Sequence, residues 1–398
     1  MARSTGISQR SRVGDVAETA NRQVQPSALG EVLIDLFSIP AFDIGSGPER
    51  LPARAIGSGK APIPEGSVLI SKLNPHNPRV WMPGPSEDGV LQLASTEFVI
   101  LSPKRQVRRE YLYYVLQSPL LQHRLAAKRT GTTGSHQRIR PADILDVEFD
   151  LPSLARQDAV VQWLGDLDDL ISLSQLVIRQ LENECQLVFE RLFVQGDPTA
   201  EEVTLDHIVD VNRRLPVDKS VEAPYLDMAA LPVDRALLDM WGRRIPKGGA
   251  RFLNGDTLIA RITPCLENGK TAYVTGLRDG QIATGSTEFI VIRPSVDVHP
   301  FWAYCLARSP AFREYAIRNM TGTSGRQRCS ADALANYTLL KPTDESLDEF
   351  SVVASENVAL METKHRQVHL LRAIRQAVLP EMVHADGGLA VAGLGSVT

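Results

Sequence analysis

Two stretches of the chain set hydroxyls and glycines close to an arginine. Thr130-Gly131-Thr132-Thr133-Gly134 precedes Gln137-Arg138, and Thr321-Gly322-Thr323-Ser324-Gly325 precedes Gln327-Arg328. Glycine lets backbone approach a phosphate, hydroxyls and free amides bind it, and arginine adds charge. A single such turn would read as a simple helix-to-strand connection. Two copies, each followed by an arginine, put contact with nucleic acid on equal terms with that reading.

Other candidate chemistry fails on spacing. Leu266-Glu-Asn-Gly-Lys-Thr271 looks like the end of a phosphate-binding P-loop, but the first glycine would fall at Pro264. In the first half Gly59-Lys60 is followed by Ala61, and Arg54 stands where that glycine belongs. Nucleotide hydrolysis is therefore not expected. Pro342, Asp344 and Glu362-Thr-Lys364 imitate a metal-nuclease signature, but the carboxylates lie 18 residues apart (362 − 344) along one predicted helix and would not meet on one ion. Gly45 and Gly47 lack the strand–turn–helix setting of a dinucleotide fingerprint. No Asn/Asp-Pro-Pro-aromatic group is present to hold a flipped base; Leu73-Asn-Pro-His-Asn-Pro78 is not one. His136 has no evident triad partner. Cys185, Cys265, Cys305 and Cys329 form no CxxC or Cys/His cluster, which argues for buried thiols in a reducing cytoplasm and against zinc. No catalytic residue and no metal site is expected.

Composition sets wide bounds. The chain has 398 residues, 43% hydrophobic and 23% charged, as in ordinary globular proteins, with room for two or three domains. No apolar run reaches a membrane span, and MARSTGISQRSR lacks the apolar core of a secretory signal, so a cytoplasmic location is expected. The net charge of −4 conceals an uneven distribution. Residues 101–140 carry nine Lys and Arg against Glu110 alone (+9 − 1 = +8), whereas 154–194 carries three against seven acids (+3 − 7 = −4). Salt screens charge beyond about 8–10 Å, so the local field matters more than the total.

The elements that must position these residues occur twice. Ser95-Thr-Glu-Phe98 stands 35 residues before Thr130, and Ser286-Thr-Glu-Phe289 stands 35 before Thr321. Gly66-Ser-Val-Leu-Ile-Ser-Lys-Leu73 matches Gly255-Asp-Thr-Leu-Ile-Ala-Arg-Ile262. Each copy predicts short strands, then one helix (Arg109 to Lys128, and Pro300 to Met320), then a long helix. In the first long helix a 3,4 spacing selects Leu164, Leu167, Ile171, Ser174, Ile178, Leu181, Cys185, Val188 and Leu192. That is a coiled-coil seam in a rod of roughly 60 Å. In the second helix Val353, Leu360, Leu371, Ile374 and Val378 form a weaker seam. The expected fold is α+β: two similar domains of mixed sheet plus helices, separated by two long antiparallel coiled-coil helices. Expected boundaries are 1–152 and 196–341 for the domains, 153–195 and 342–385 for the helices, and 386–398 for a loose tail.

With this duplication in hand, the chain resembles the specificity subunits of type I restriction–modification systems. The repeated domain–helix pattern, the Thr-Gly-Thr turns, Leu151-Pro152 and the segment Gly255 to Lys270 carry the likeness, which spans about Arg12 to Val383. The resemblance implies two target-recognition domains reading the halves of a bipartite double-stranded DNA site, with the helical pair setting the gap. It implies two methyltransferase subunits on the helices, a motor–nuclease chain in the full complex, and S-adenosylmethionine, ATP and Mg²⁺ on those partners rather than here. The DNA-contact candidates are Lys72, Thr133, Ser135, Arg138 and Arg140 in the first half, and Arg261, Lys270, Arg326 and Arg328 in the second. Leu164, Leu167, Ile171, Ile178, Leu181, Val188, Leu371 and Ile374 are the candidate seam. A self-contained nuclease or methylase, or a protein-only coiled-coil scaffold, is the alternative. The first would act on DNA without partners, and the second would bind without salt dependence or sequence preference.

Overall fold

A computed structural model describes residues 9–384, except 21, 46, 87–88, 129–136, 196–199 and 324. The chain divides into two units. One comprises residues 1–169 with 371–398, the other residues 170–370. Each unit takes part of both long helices.

The two units share one sheet plan. In the first, a four-stranded sheet runs Ala17–Thr19, Phe98–Pro103, Val68–Ser71, Val80–Trp81; in the second the order is Val209–Val211, Phe289–Pro294, Thr257–Ala260, Thr271–Tyr273. All neighbours in both are antiparallel. A further sheet runs Glu49–Pro52, Leu33–Phe37, Leu91–Ser95, Lys60–Pro62, matched by Gly242–Arg244, Ala223–Leu226, Ala283–Gly285, Arg251–Phe252. Its central pair is parallel in both copies. A small ribbon, Gln9–Arg12 with Glu148–Leu151 and Glu202–Thr204 with Thr338–Leu340, completes each plan. Val68–Ser71 and Thr257–Ala260 are buried at every position, as strands covered on both faces must be.

Where one helix was predicted in each domain, the structure has two. Arg109–Gln117 is followed by Pro119–Ala127, and Phe301–Arg308 by Pro310–Arg318. The break falls at Ser118-Pro119 and Ser309-Pro310. Proline restricts the residue before it to extended backbone and suits the first helical position. Ser118 and Ser309 have ψ of 138°, and the Ser118 hydroxyl accepts the Leu121 amide.

The long helices are Leu154–Phe189, continued by a π turn Glu190–Val194, and Asp344–Val383. Leu164, Leu167, Ile171 and Ile178 are buried, whereas Leu181, Val188, Leu371 and Ile374 are half-buried. Beyond Ile178 the inward stripe passes through Cys185, Phe189 and Phe193 rather than Val188 and Leu192. A straight helix drifts by about 20° per heptad, and Phe189 and Phe193 pack edge-on against Trp302 and Phe350. In the second helix the buried positions in unit two are Leu347, Phe350, Ala354, Val358, Met361 and Val368. Leu360, predicted on the seam, is 42% exposed. Within that unit the helices run antiparallel: the Asn357 amide donates to Cys185 Sγ at 3.7 Å and Arg191 pairs with Glu349 at 2.5 Å. In the first unit Leu164 and Leu167 share a core with Leu379, Met382 and Val383.

Candidate nucleic-acid interface

The repeated motifs build the same constellation twice. The loop at Ser95-Thr-Glu-Phe98 is closed by the Glu97 amide on Ser95 Oγ (3.3 Å), and its twin by the Glu288 amide on Ser286 Oγ (3.1 Å). The Lys72 amide donates to the Glu97 carbonyl (2.8 Å) and the Arg261 amide to the Glu288 carbonyl (2.9 Å). On the other side, the Ile139 amide donates to the Lys72 carbonyl and the Cys329 amide to the Arg261 carbonyl. This brings the Gln-Arg segment beside the strand end, with Arg138 facing Leu73 and Arg328 facing Ile262 in isolated bridges. Arg138 then grips Glu97 through Nε (3.2 Å) and Nη2 (2.9 Å), and Arg328 grips Glu288 likewise (2.9 Å each). Each carboxylate raises the pKa of its arginine, first by the hydrogen bond and then by charge. Fork-to-carboxylate geometry fixes a guanidinium in direction, which base-edge recognition requires.

The other candidates fall in different places. Thr133 and Ser135 lie outside the described residues. Arg140 is exposed but commits its guanidinium and its amide to Asp143, as the cap of the helix Pro141–Leu145. Lys270 donates from Nζ to the Met228 carbonyl at 2.7 Å. Arg326 is exposed, its amide on the Thr323 carbonyl. Lys72 is half-buried.

The +8 of residues 101–140 is not an open field. Arg108 pairs with Asp158, Arg109 donates to the Ser67 and Pro83 carbonyls, and Arg124 to the Glu148 carbonyl. Lys104 reaches the Gly14 and Asp15 carbonyls and Lys128 that of Asp143. Much of this charge ties the first domain together.

The second domain holds a basic concavity that sequence reasoning did not single out. A cavity of 530 Å³ is lined by Arg213, Arg214, Arg251, Arg261 and Thr287, among others. A second, of 770 Å³, takes in Arg243, Arg244 and Lys247. Gly249 and Thr287 line both. Arg213, Arg214, Arg243, Arg244 and Lys247 are all exposed. Arg244 lies over the Tyr225 ring at 4.1 Å. Arg261 Nε is buried without a hydrogen-bond partner, 4.0 Å from Glu288 Oε2. A shared wall this thin needs glycine: a Cβ on Gly249, at φ +93°, would stand 2.0 Å from the Gly285 carbonyl oxygen. The signal in the sequence was the pair of Arg-Arg dipeptides at 213 and 243, thirty residues apart.

No protein-family profile matches the chain. It is 33% identical over 174 residues to the type I restriction enzyme EcoAI specificity subunit of Escherichia coli, a match covering 42% of this chain and 29% of that protein. It is 31% identical over 149 residues to the EcoEI specificity subunit of the same organism, covering 36% and 25%. The matches thus span less than a third of those relatives' length. Among solved structures, the type I restriction–modification S subunit from M. genitalium aligns with 96% of this chain and 98% of its own, at TM-score 0.55 and 12% identity. The chain therefore resembles the specificity subunits of type I restriction enzymes, in sequence over part of its length and in fold over nearly all of it.

Proposed function

We propose that this chain is the DNA-reading specificity subunit of a type I restriction–modification assembly and performs no chemistry itself. Each half reads one part of a bipartite duplex site, and the long helices set the gap between the parts. Arginines of the second-domain concavity hold phosphates, while Arg138 and Arg328, aimed by their glutamates, reach base edges. The observation that carries this reading is the concavity bordered by Arg213, Arg214, Arg251 and Arg261 beside the Arg328–Glu288 pair. Methylation and cleavage, with S-adenosylmethionine, ATP and Mg²⁺, belong to partner chains.

Methyltransferase subunits, two in number, dock on the helices. In support, Leu170, Leu173, Leu176 and Leu187 are 45–66% exposed along one helix. Their angular positions at 100° per residue fall within a stripe of about 120°. Leu170, Leu173 and Leu176 are successive on that face, and an apolar cluster facing water is a usual mark of a protein contact. Among the described residues no helix is long and apolar enough to cross a membrane.

The test is duplex binding by the chain, alone and co-expressed with a type I methyltransferase subunit from the same genome, across a salt series. Arg213→Ala with Arg214→Ala is expected to weaken binding and to flatten the plot of log affinity against log salt by roughly 0.9 for each phosphate no longer neutralised. An unchanged affinity and slope would reject the assignment.

A further inference from the structure

The helix Asp344–Val383 presents His365 and His369 one turn apart, and the loop before Gly242 brings Asp239 to meet them. The rings stand at 80° with centroids 4.5 Å apart, which brings their Nε2 atoms to 3.0 Å. Asp239 Oδ1 lies 4.0 Å from His365 Nε2 and 3.7 Å from His369 Nε2. The Leu238 carbonyl oxygen is 2.9 Å from His365 Nε2. Ligands at 2.0–2.1 Å around a tetrahedral ion stand about 3.3 Å apart, and the four separations of 3.0, 4.0, 3.7 and 2.9 Å bracket that spacing. The orientation of Asp239 suits a ligand. Its Oδ2 takes the Arg235 guanidinium, leaving Oδ1 toward the imidazoles. The side chains are 16% (His365), 37% (His369) and 34% (Asp239) exposed, so an ion can enter from solvent. The floor is apolar, with Leu238, Met361 and Val368 buried. Glu362 and Arg366, one turn away on the same helix, pair with each other at 3.8 Å.

We propose that Asp239, His365 and His369, with the Leu238 carbonyl, form a binding site for a borderline divalent transition ion such as Zn²⁺. Two imidazoles and one carboxylate are a donor set that suits zinc and its neighbours rather than magnesium or calcium. The ion links the second long helix to the segment Leu231–Asp239. That segment already accepts the Tyr273 amide on Ala236 and the Thr271 amide on Pro232 from the adjacent sheet. Metal would therefore clamp the second recognition domain onto its helix. No step of DNA chemistry is assigned to it.

The experiment uses the full-length chain without an affinity tag. Zn²⁺ titration by calorimetry is expected to give one equivalent, and Co²⁺ to give the intense visible band of a four-coordinate ion. Loss of either imidazole or the carboxylate, in His369→Ala or Asp239→Asn, should weaken Zn²⁺ by more than the roughly 10–100-fold typical of residues behind the ligands. Arg235→Gln should fall within that 10–100-fold range. Thermal unfolding should shift upward with Zn²⁺ in the parent and not in the double variant His365→Ala with His369→Ala. His369→Ala removes a part-exposed side chain, so a folded variant remains available if the double variant fails. Absence of a stoichiometric Zn²⁺ equivalent would overturn the proposal. So would affinity unchanged in Asp239→Asn, the mark of an adventitious histidine pair.

Discussion

The Arg328 guanidinium holds both carboxylate oxygens of Glu288, Nε on Oε2 and Nη2 on Oε1, each at 2.9 Å. The same grip recurs between Arg138 and Glu97. On the proposed reading, each arginine is presented to DNA with its direction already set. Replacing Arg138 and Arg328 with alanine is expected to weaken specific binding by roughly a few-fold to a hundredfold each. Glu288→Gln should keep affinity for non-cognate duplex or raise it, while narrowing the gap between cognate and non-cognate sites. Competition binding with scrambled duplex measures both.

Gly249 separates the two basic cavities of the second domain. A methyl group there would meet the Gly285 carbonyl at 2.0 Å, on a backbone already at φ +93°. Gly249→Ala is expected to displace the loop and to lower duplex affinity. The long helices should stay intact, because residue 249 lies outside them. Circular dichroism and binding on one preparation separate the two effects.

Glu182 sits on the first long helix, accepting the Tyr304 hydroxyl at 2.6 Å and the Ala236 amide at 3.0 Å. Desolvation raises its pKa despite those bonds. The native protein therefore keeps this proton in a pH range where the unfolded chain has released it. Its contribution is fully present below the ordinary value of 4.5 and is lost as pH rises through the raised folded value. Glu182→Gln removes that dependence, so its stability relative to the parent should improve as pH rises above 4.5. Glu182→Ala leaves the amide and hydroxyl without an acceptor and should cost roughly 1–3 kcal/mol below pH 4.5, a cost that shrinks as pH rises because this variant too lacks the titrating carboxyl. Urea unfolding at several pH values reads both.

Arg375 meets Asp168 at 2.5 Å and Gln117 at 2.9 Å, while the Tyr114 hydroxyl donates to the same aspartate at 3.1 Å. The Arg375 and Asp168 side chains are 19% and 33% exposed. Arg375→Ala should destabilise the first unit by roughly 2–3 kcal/mol, below the full cost of stranding a buried charge because water still reaches Asp168. Hydrogen exchange at Val115 and Leu116 should rise accordingly, and an unchanged rate would contradict this role.

Parts of the design were legible in the residues because they are local or periodic. Equal 35-residue steps gave the duplication, and the sheets follow one order in both units. The 3,4 spacing from Leu164 to Ile178 gave the buried stripe of the first helix. What stayed hidden depends on residues distant in sequence. Glu97 and Arg138 are 41 positions apart, and nothing in either motif indicates that they bond. Phe189 and Phe193 displace Val188 and Leu192 because Trp302 and Phe350 lie against them. The basic stretch 101–140 overstated free charge, since carbonyls and Asp158 take up much of it. The cluster of Asp239, His365 and His369 likewise joins residues far apart, 126 positions (365 − 239) separating the aspartate from the first histidine it meets.

The central claim, that this chain chooses the DNA sequence for a partner methyltransferase, is met most directly by mapping modified bases in the source genome with and without the gene. One bipartite motif with a fixed gap should be methylated in the parent, vanish on deletion, and return with the intact gene but with reduced occupancy for Arg138→Ala with Arg328→Ala. A methylation pattern indifferent to deletion would contradict the account.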